Sequence, residues 1–399
     1  MPLKSKLPNR SFRQKYYLIL TIVLVFVATY IFSNNLLNIK SNKAKDSEGF
    51  RSYNGNIVKN ENNLKYRNGS RLWIEYAQEL VKKNKPTPPE SARFYAYVAS
   101  VYSDTLSATG SNIQASLAAR EIINLVMPAD RVATDKYLSD ISDNSSEKIS
   151  KVTVQIIDQY KQRGETDGKN SLVWDGVVPI GVGKWTGKNP LVPRAGEWTR
   201  WIVDKNYDFQ TPPPPTFNSA QDKKEIEIVS KAVSQRDDNV WLPKIKFWAG
   251  GPGTEAPLGI WLNKLYDETK DDAVSDMSYA RWQKILTQSV ADAFMECWKV
   301  KYTYWTARPS MRMEQLSTTQ DNPNFPSYIS GHSTISRTAS VVLSALIPEM
   351  SDVWIRYSEE ARDTRLMSGI HFKIDNDNGY TLGEKIGKLV LSKIDLAKY

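Results

Sequence analysis

Along this chain apolar residues recur at three- and four-residue intervals in stretch after stretch, while alternating apolar and polar positions are scarce; that contrast restricts the body to packed helices. Thr87, Pro88, Pro89 and Glu90 read as a helix start, with a threonine N-cap, proline in the first turn and a capping-box glutamate. The apolar run Phe94, Tyr97, Val98, Val101 and Tyr102 follows on one face. Similar patterns predict helices over about 111–126, 145–163, 222–235, 257–269, 277–305, 331–347, 351–370 and 380–397. Between them, the glycine-containing 171–205 region with Trp185, Trp198 and Trp201, and the proline run 212–215, read as long irregular loops. No internal repeat is evident. The expectation is an all-α domain, most simply a helical bundle, over residues 71–399.

Residues 16–32 carry no charge and follow Lys4, Lys6, Arg10, Arg13 and Lys15. This pattern makes 1–33 a signal anchor or a signal peptide, with a cytoplasmic N-terminus and an exported domain. Residues 34–70, rich in Asn, Lys and Ser, read as a polar stalk. The expected location is the membrane, with the domain periplasmic or extracellular, or secretion if the leader is removed. The formal net charge of +9 belongs mostly to that leader: eight basic residues and no acid lie in the first 45 positions, leaving the remainder near +1. A nucleic-acid partner thereby loses its main support. Cys297 is the only cysteine, which excludes an intrachain disulfide and a cysteine-rich zinc site, and its position in an apolar stripe makes it a core residue.

The chemistry concentrates in 297–375, where the two histidines of the chain both fall. In the helix expected at 277–305, Leu286, Val290, Ala293, Cys297 and Lys301 share one face. Lys301 therefore points inward and requires an anionic partner, or its stem snorkels outward at the helix end. Arg308-Pro309 follows where the helix should stop, a turn that can fold the guanidinium back beside the lysine. Ser330-Gly331-His332 precedes the apolar run Ile335, Ala339, Val342, Leu343 and Leu346. It thus occupies a helix N-terminus, either an ordinary serine cap or an oxyanion site with Gly331 leaving its amide open. Arg365 is in helical phase with Trp354, Ser358 and Ala361 and faces inward. Asp375 stands four residues beyond His371, able to meet the imidazole if the helix continues. The Asp375, Asp377, Gly379 cluster lacks the register of a calcium loop and reads as a turn.

Taken together, Lys301 and Arg308-Pro309, then Ser330-Gly331-His332, then Arg365, Gly369, His371 and Asp375 resemble the signature of the type 2 phosphatidic acid phosphatases and vanadium-dependent haloperoxidases. Two positions depart from it: Ile329 where the pattern has proline and Thr364 where it has serine. Phe247 to Thr254, with Pro257, Gly259 and Trp261, is similar to bacterial haloperoxidase-related sequences, and the absence of a second apolar span argues against the membrane-embedded phosphatases.

The resemblance implies a helical bundle in which Lys301, Arg308, Ser330, Gly331 and Arg365 hold the oxygens of vanadate. His371 would be the metal ligand, with Asp375 fixing its tautomer, and His332 the acid or base that handles a proton of hydrogen peroxide during halide oxidation. In the alternative, an acid phosphatase of the same superfamily, phosphate takes the place of vanadate. His371 then attacks a phosphomonoester to form a phosphohistidine, and His332 protonates the leaving oxygen. A third reading is a surface-anchored anion-binding protein without catalysis.

Overall fold

The capping box at Thr87 forms as its spacing requires. Glu90 accepts hydrogen bonds from the Thr87 amide (3.0 Å) and hydroxyl (2.8 Å), and the helix it opens runs Pro88–Thr109. In this computed structural model, residues 69–272 and 274–396 are described. The helices are α1 (Gly69–Asn84), α2 (Pro88–Thr109), α3 (Asn112–Val126), α4 (Arg131–Ile141), α5 (Lys151–Thr166), α6 (Ala220–Ser234) and α7 (Asp238–Trp248). They continue with α8 (Ala256–Thr269), α9 (Asp276–Tyr304), the single turn α10 (Pro309–Arg312), α11 (Gly331–Leu346), α12 (Ser351–Met367) and α13 (Lys373–Lys393). No strand occurs among the described residues, where Lys184 and Thr306 form one isolated bridge. The all-α expectation is met.

The axis of the bundle is α9, buried along most of its length between α2 and α11. Leu286, Val290, Ala293, Cys297 and Lys301, the face read from spacing, are all fully buried. Trp73, Trp261, Trp298 and Trp354 are each at most 1% exposed, so large rings fill the junctions between helices. Asp292 of α9 fastens the irregular 171–205 region to the bundle: its carboxylate accepts from the amides of Trp201 (2.6 Å), Ile202 (2.9 Å) and Val203 (2.9 Å).

Helix α13 lies tightly on α11 through Gly379, Gly383 and Gly387, spaced four apart on one face. A Cβ added at Gly379 would meet the Ser330 carbonyl oxygen at 2.7 Å, and one at Gly383 the Thr334 carbonyl oxygen at 2.2 Å. Only glycine permits that approach. It brings the N-terminal turn of α13 against the N-terminus of α11.

Several boundaries differ from the sequence reading. The 351–370 helix stops at Met367, and its neighbour begins at Lys373 rather than 380 and ends at Lys393 rather than 397. Gly369, at φ 76, terminates the first in a left-handed conformation. Asp375 to Gly379, expected as a turn, are the first turns of α13. The 145–163 helix starts only after Ser150, whose side chain caps it, and reaches Thr166. Helix α1 begins two residues before the body was drawn to begin, and α1, α4 and α7 have no counterpart among the expected helices. No described helix is long and apolar enough to cross a membrane. The 16–32 segment, the leader 1–33 and most of the stalk 34–70 lie outside the described residues.

Candidate active site

Four separate segments converge at one end of α9. Lys301 comes from the last turn of that helix, Arg308 from the loop after it, Ser330 to His332 from the start of α11, and Arg365 to Asp375 from the α12–α13 junction. Lys301 and Arg308 are fully buried, and Arg365 nearly so.

Among the described residues no carboxylate is in direct contact with the inward-pointing Lys301. Its ammonium donates instead to the carbonyls of Pro326 (2.9 Å) and Ser327 (2.7 Å). Arg308 Nε donates to the Phe325 carbonyl (3.2 Å) and Nη1 to the Ile370 carbonyl (2.8 Å). The Phe325 ring faces both cations, with centroid distances of 5.1 Å to each. Arg365 Nε donates to the Thr364 hydroxyl (3.2 Å), which itself donates to the Ala361 carbonyl (2.7 Å). Thr364, where the signature has serine, thus keeps a hydroxyl in contact with the arginine. Ile329, where the signature has proline, is fully buried, and its carbonyl accepts from the Cys297 thiol at 3.6 Å.

Carbonyl dipoles satisfy hydrogen-bonding groups but do not neutralise charge. Burial pulls Lys301 down to about 7, Arg308 to about 10 and Arg365 to about 9. Asp375 is the one carboxylate that opposes Lys301 and Arg308, and burial pushes it up to about 6. Three cations against one weakened carboxylate leave the centre short of negative charge. Polar atoms point the same way. Arg308 Nη2, Arg365 Nη2 and His332 Nε2 are buried and have no hydrogen-bond partner among the described residues; such buried atoms are costly unless another group meets them.

His371 and Asp375 meet at 2.9 Å between Nδ1 and Oδ2, without the continuous helix that their spacing suggested. His371 stands just before Phe372, the N-cap of α13, and Asp375 is the third residue of that helix. The same Oδ2 accepts from the Phe372 amide at 3.2 Å, so helix capping holds the carboxylate in place. An Nδ1 proton shared with Asp375 makes Nε2 the acceptor of the ring, and it accepts from Arg308 Nη1 at 3.3 Å. Burial first, then Arg308, Lys301 and Arg365, hold the imidazole of His371 well below its ordinary proton affinity. Burial and Arg365 likewise depress His332, against a smaller opposing effect of the Trp248 and Ala249 backbone.

Ser330 caps α11 by accepting from the Ser333 amide at 3.4 Å, which leaves its own hydroxyl proton to donate. A Cβ at Gly331 would come no closer than 3.8 Å, to Trp298. Packing does not demand glycine there. Gly331, His332, Arg365 and His371 border a cavity of about 610 Å³, walled by Phe294, Trp298, Phe325 and the Ala249 to Pro257 segment. That segment, picked out in the sequence, is therefore part of the site. Cys297 is fully buried beneath it with its thiol pushed up by burial, a core position. No cluster of side chains suited to a simple metal cation occurs among the described residues.

The sequence reading missed the Phe325-Pro326-Ser327 strap, whose carbonyls hold Lys301 and Arg308. The Ser327 hydroxyl also donates to Asp375 Oδ2 at 2.5 Å. No spacing rule could have found contacts that join residues 17 to 48 positions apart.

No protein-family model and no curated protein sequence matches this chain. Solved structures do. A bacterial vanadium-dependent iodoperoxidase superposes with a TM-score of 0.71 at 18% identity, over 82% of this chain and 96% of its own. Apo and holo forms of a bacterial vanadium-dependent chloroperoxidase give TM-scores of 0.63 and 0.60, both at 12% identity. These cover 79% and 82% of this chain and 96% and 92% of their own. The chain shares the helical fold of these solved bacterial vanadium-dependent peroxidases.

Proposed function

We propose that this protein is a vanadate-dependent haloperoxidase that oxidises a halide with hydrogen peroxide. The observation that carries the reading is the convergence of three buried cations and three unpartnered polar atoms around His371. The donor set fits vanadate. Lys301, Arg308, Arg365, the Ser330 hydroxyl and the Gly331 amide are donors for its oxygens, and His371 Nε2 is a lone-pair ligand backed by Asp375. Vanadate, when bound, supplies the activation of peroxide toward two-electron oxidation of halide, with hypohalous acid and water as products.

The chain's own groups orient and handle protons. Asp375 keeps the His371 proton on Nδ1, and the cations favour negative charge at the oxyanion. His332, with Nε2 unpartnered among the described residues, lines the cavity where it could exchange a proton with peroxide.

The test uses purified protein with peroxide and iodide, bromide or chloride, with and without vanadate. Vanadate-dependent halide oxidation is expected, lost in both His371→Ala and His332→Ala. Vanadate affinity should vanish in the first variant and survive in the second. Hydrolysis of a phosphomonoester without halide oxidation would move the assignment to a phosphatase using the same cage. Inactivity in both assays with vanadate still bound would favour an anion-binding protein.

A further inference from the structure

Ser327 joins Lys301 to the His371 and Asp375 pair through a single residue. Its carbonyl accepts from Lys301 Nζ at 2.7 Å. Its hydroxyl donates to Asp375 Oδ2 at 2.5 Å and lies 3.3 Å from His371 Nδ1. Its amide donates to the Thr306 carbonyl at 3.0 Å, and the next amide, of Tyr328, to the Thr306 hydroxyl at 2.8 Å. Ser327 is fully buried. Backbone bonds on both sides therefore fix the direction in which its hydroxyl can point.

That direction matters because Asp375 Oδ2 serves three donors at once: the Ser327 hydroxyl, His371 Nδ1 and the Phe372 amide. Without the hydroxyl, the carboxylate would rest on the imidazole and one amide alone and could rotate about its side chain. We infer that Ser327 is a positioning residue, which locks the Asp375 carboxylate against His371 Nδ1 and so holds His371 Nε2 as the lone-pair donor toward a bound oxyanion. The role rests on the proposed use of His371 as oxyanion ligand, though not on whether the reaction is halide oxidation or ester hydrolysis. It requires only that Nε2 face the anion.

The two histidines of the chain make this measurable directly. In protein labelled with nitrogen-15 histidine, and with orthophosphate and orthovanadate titrated separately, His332→Gln assigns which ring signals belong to His371. The unaltered protein should show His371 with its proton on Nδ1. Ser327→Ala should give averaged ring-nitrogen shifts from mixed tautomers and on the order of tenfold weaker binding of both anions. Ser327→Thr, which keeps the hydroxyl, should restore both readouts. Near-ultraviolet circular dichroism checks that each variant is folded, and Ser327→Thr carries the test if the alanine variant does not fold: a folded threonine variant with parental shifts and affinity supports the role. Parental His371 shifts and affinity in folded Ser327→Ala would overturn it, as would a folded threonine variant that behaves like alanine. Failure of the haloperoxidase assignment would show instead as absent halide oxidation with the nitrogen shifts unchanged.

Discussion

Lys301 is the residue where the tension between fold and site is greatest. It is fully buried, its hydrogen bonds go to carbonyls, and burial draws its proton affinity down to about 7. In the unfolded chain a lysine titrates near 10.4. Between roughly pH 7 and 10 the unfolded state thus binds more protons at this position than the native state, so stability should rise with pH across that window. The measurement is the free energy of unfolding at pH 7 and 9.5 for the unaltered protein and Lys301→Met. Relative to the variant, the parent should gain on the order of 2 kcal/mol as pH rises. Saturating orthophosphate should flatten that gain by giving the ammonium a counter-charge. Parallel profiles without phosphate would show that the buried lysine carries no such cost. The inward orientation of Lys301 was legible from its spacing to Cys297 and Ala293, as were Arg308, the Ser330 to His332 motif and Arg365. What was not legible is how Lys301 is satisfied. Backbone carbonyls have no identity in a sequence, and Pro326 and Ser327 become partners only once the strap has folded across the end of α9.

At the scale of elements, the site depends on how closely α13 approaches α11. Gly383 faces the Thr334 carbonyl so tightly that a methyl group would overlap it, and a Cβ at Gly387 would meet Val341 Cβ, which no rotamer change can move, at 2.7 Å. Gly383→Ala is expected to lower stability by about 1–3 kcal/mol. Because the shift would separate the N-termini of α11 and α13, it should also weaken orthovanadate binding although Gly383 touches no ligand group. Thermal unfolding and vanadate titration check both parts; loss of stability with parental affinity would mean that the two helix starts are held independently. The glycine spacing of four was present in the sequence, but only the packed pair reveals what it serves. Other gaps in the reading have local causes. Helix α4 buries only Thr134 and Leu138, too little for an apolar stripe, and α7 carries Pro243 in its interior. The pattern over 351–370 ran on through Gly369, because Ile370 and His371 are also buried and keep the apolar rhythm past the true end.

For the molecule as a whole, these terms combine into one expectation: without an oxyanion the bundle carries excess positive charge in its interior, and with one it does not. A ligand that binds only the folded state stabilises it by about 2.7 kcal/mol when present at a hundred times its dissociation constant. Orthovanadate or orthophosphate at that excess should raise the melting temperature by several degrees, and Arg365→Ala should reduce the rise by weakening affinity while leaving the anion-free protein no less stable. All the groups responsible lie between Lys301 and Asp375, in helices that begin at Gly69, so a chain starting there should respond to the anion as the full chain does. We propose that the uncharged 16–32 segment acts separately, as a membrane tether for an exported domain. Fractionation of cells producing each form should then place the full chain with membranes and the chain from Gly69 with the freely dispersed protein, at equal anion response. Full-length protein recovered without membranes and without its leader would make the segment a removed signal; a weaker anion response in the shortened chain would mean that residues before Gly69 contribute to the site or to the fold that holds it.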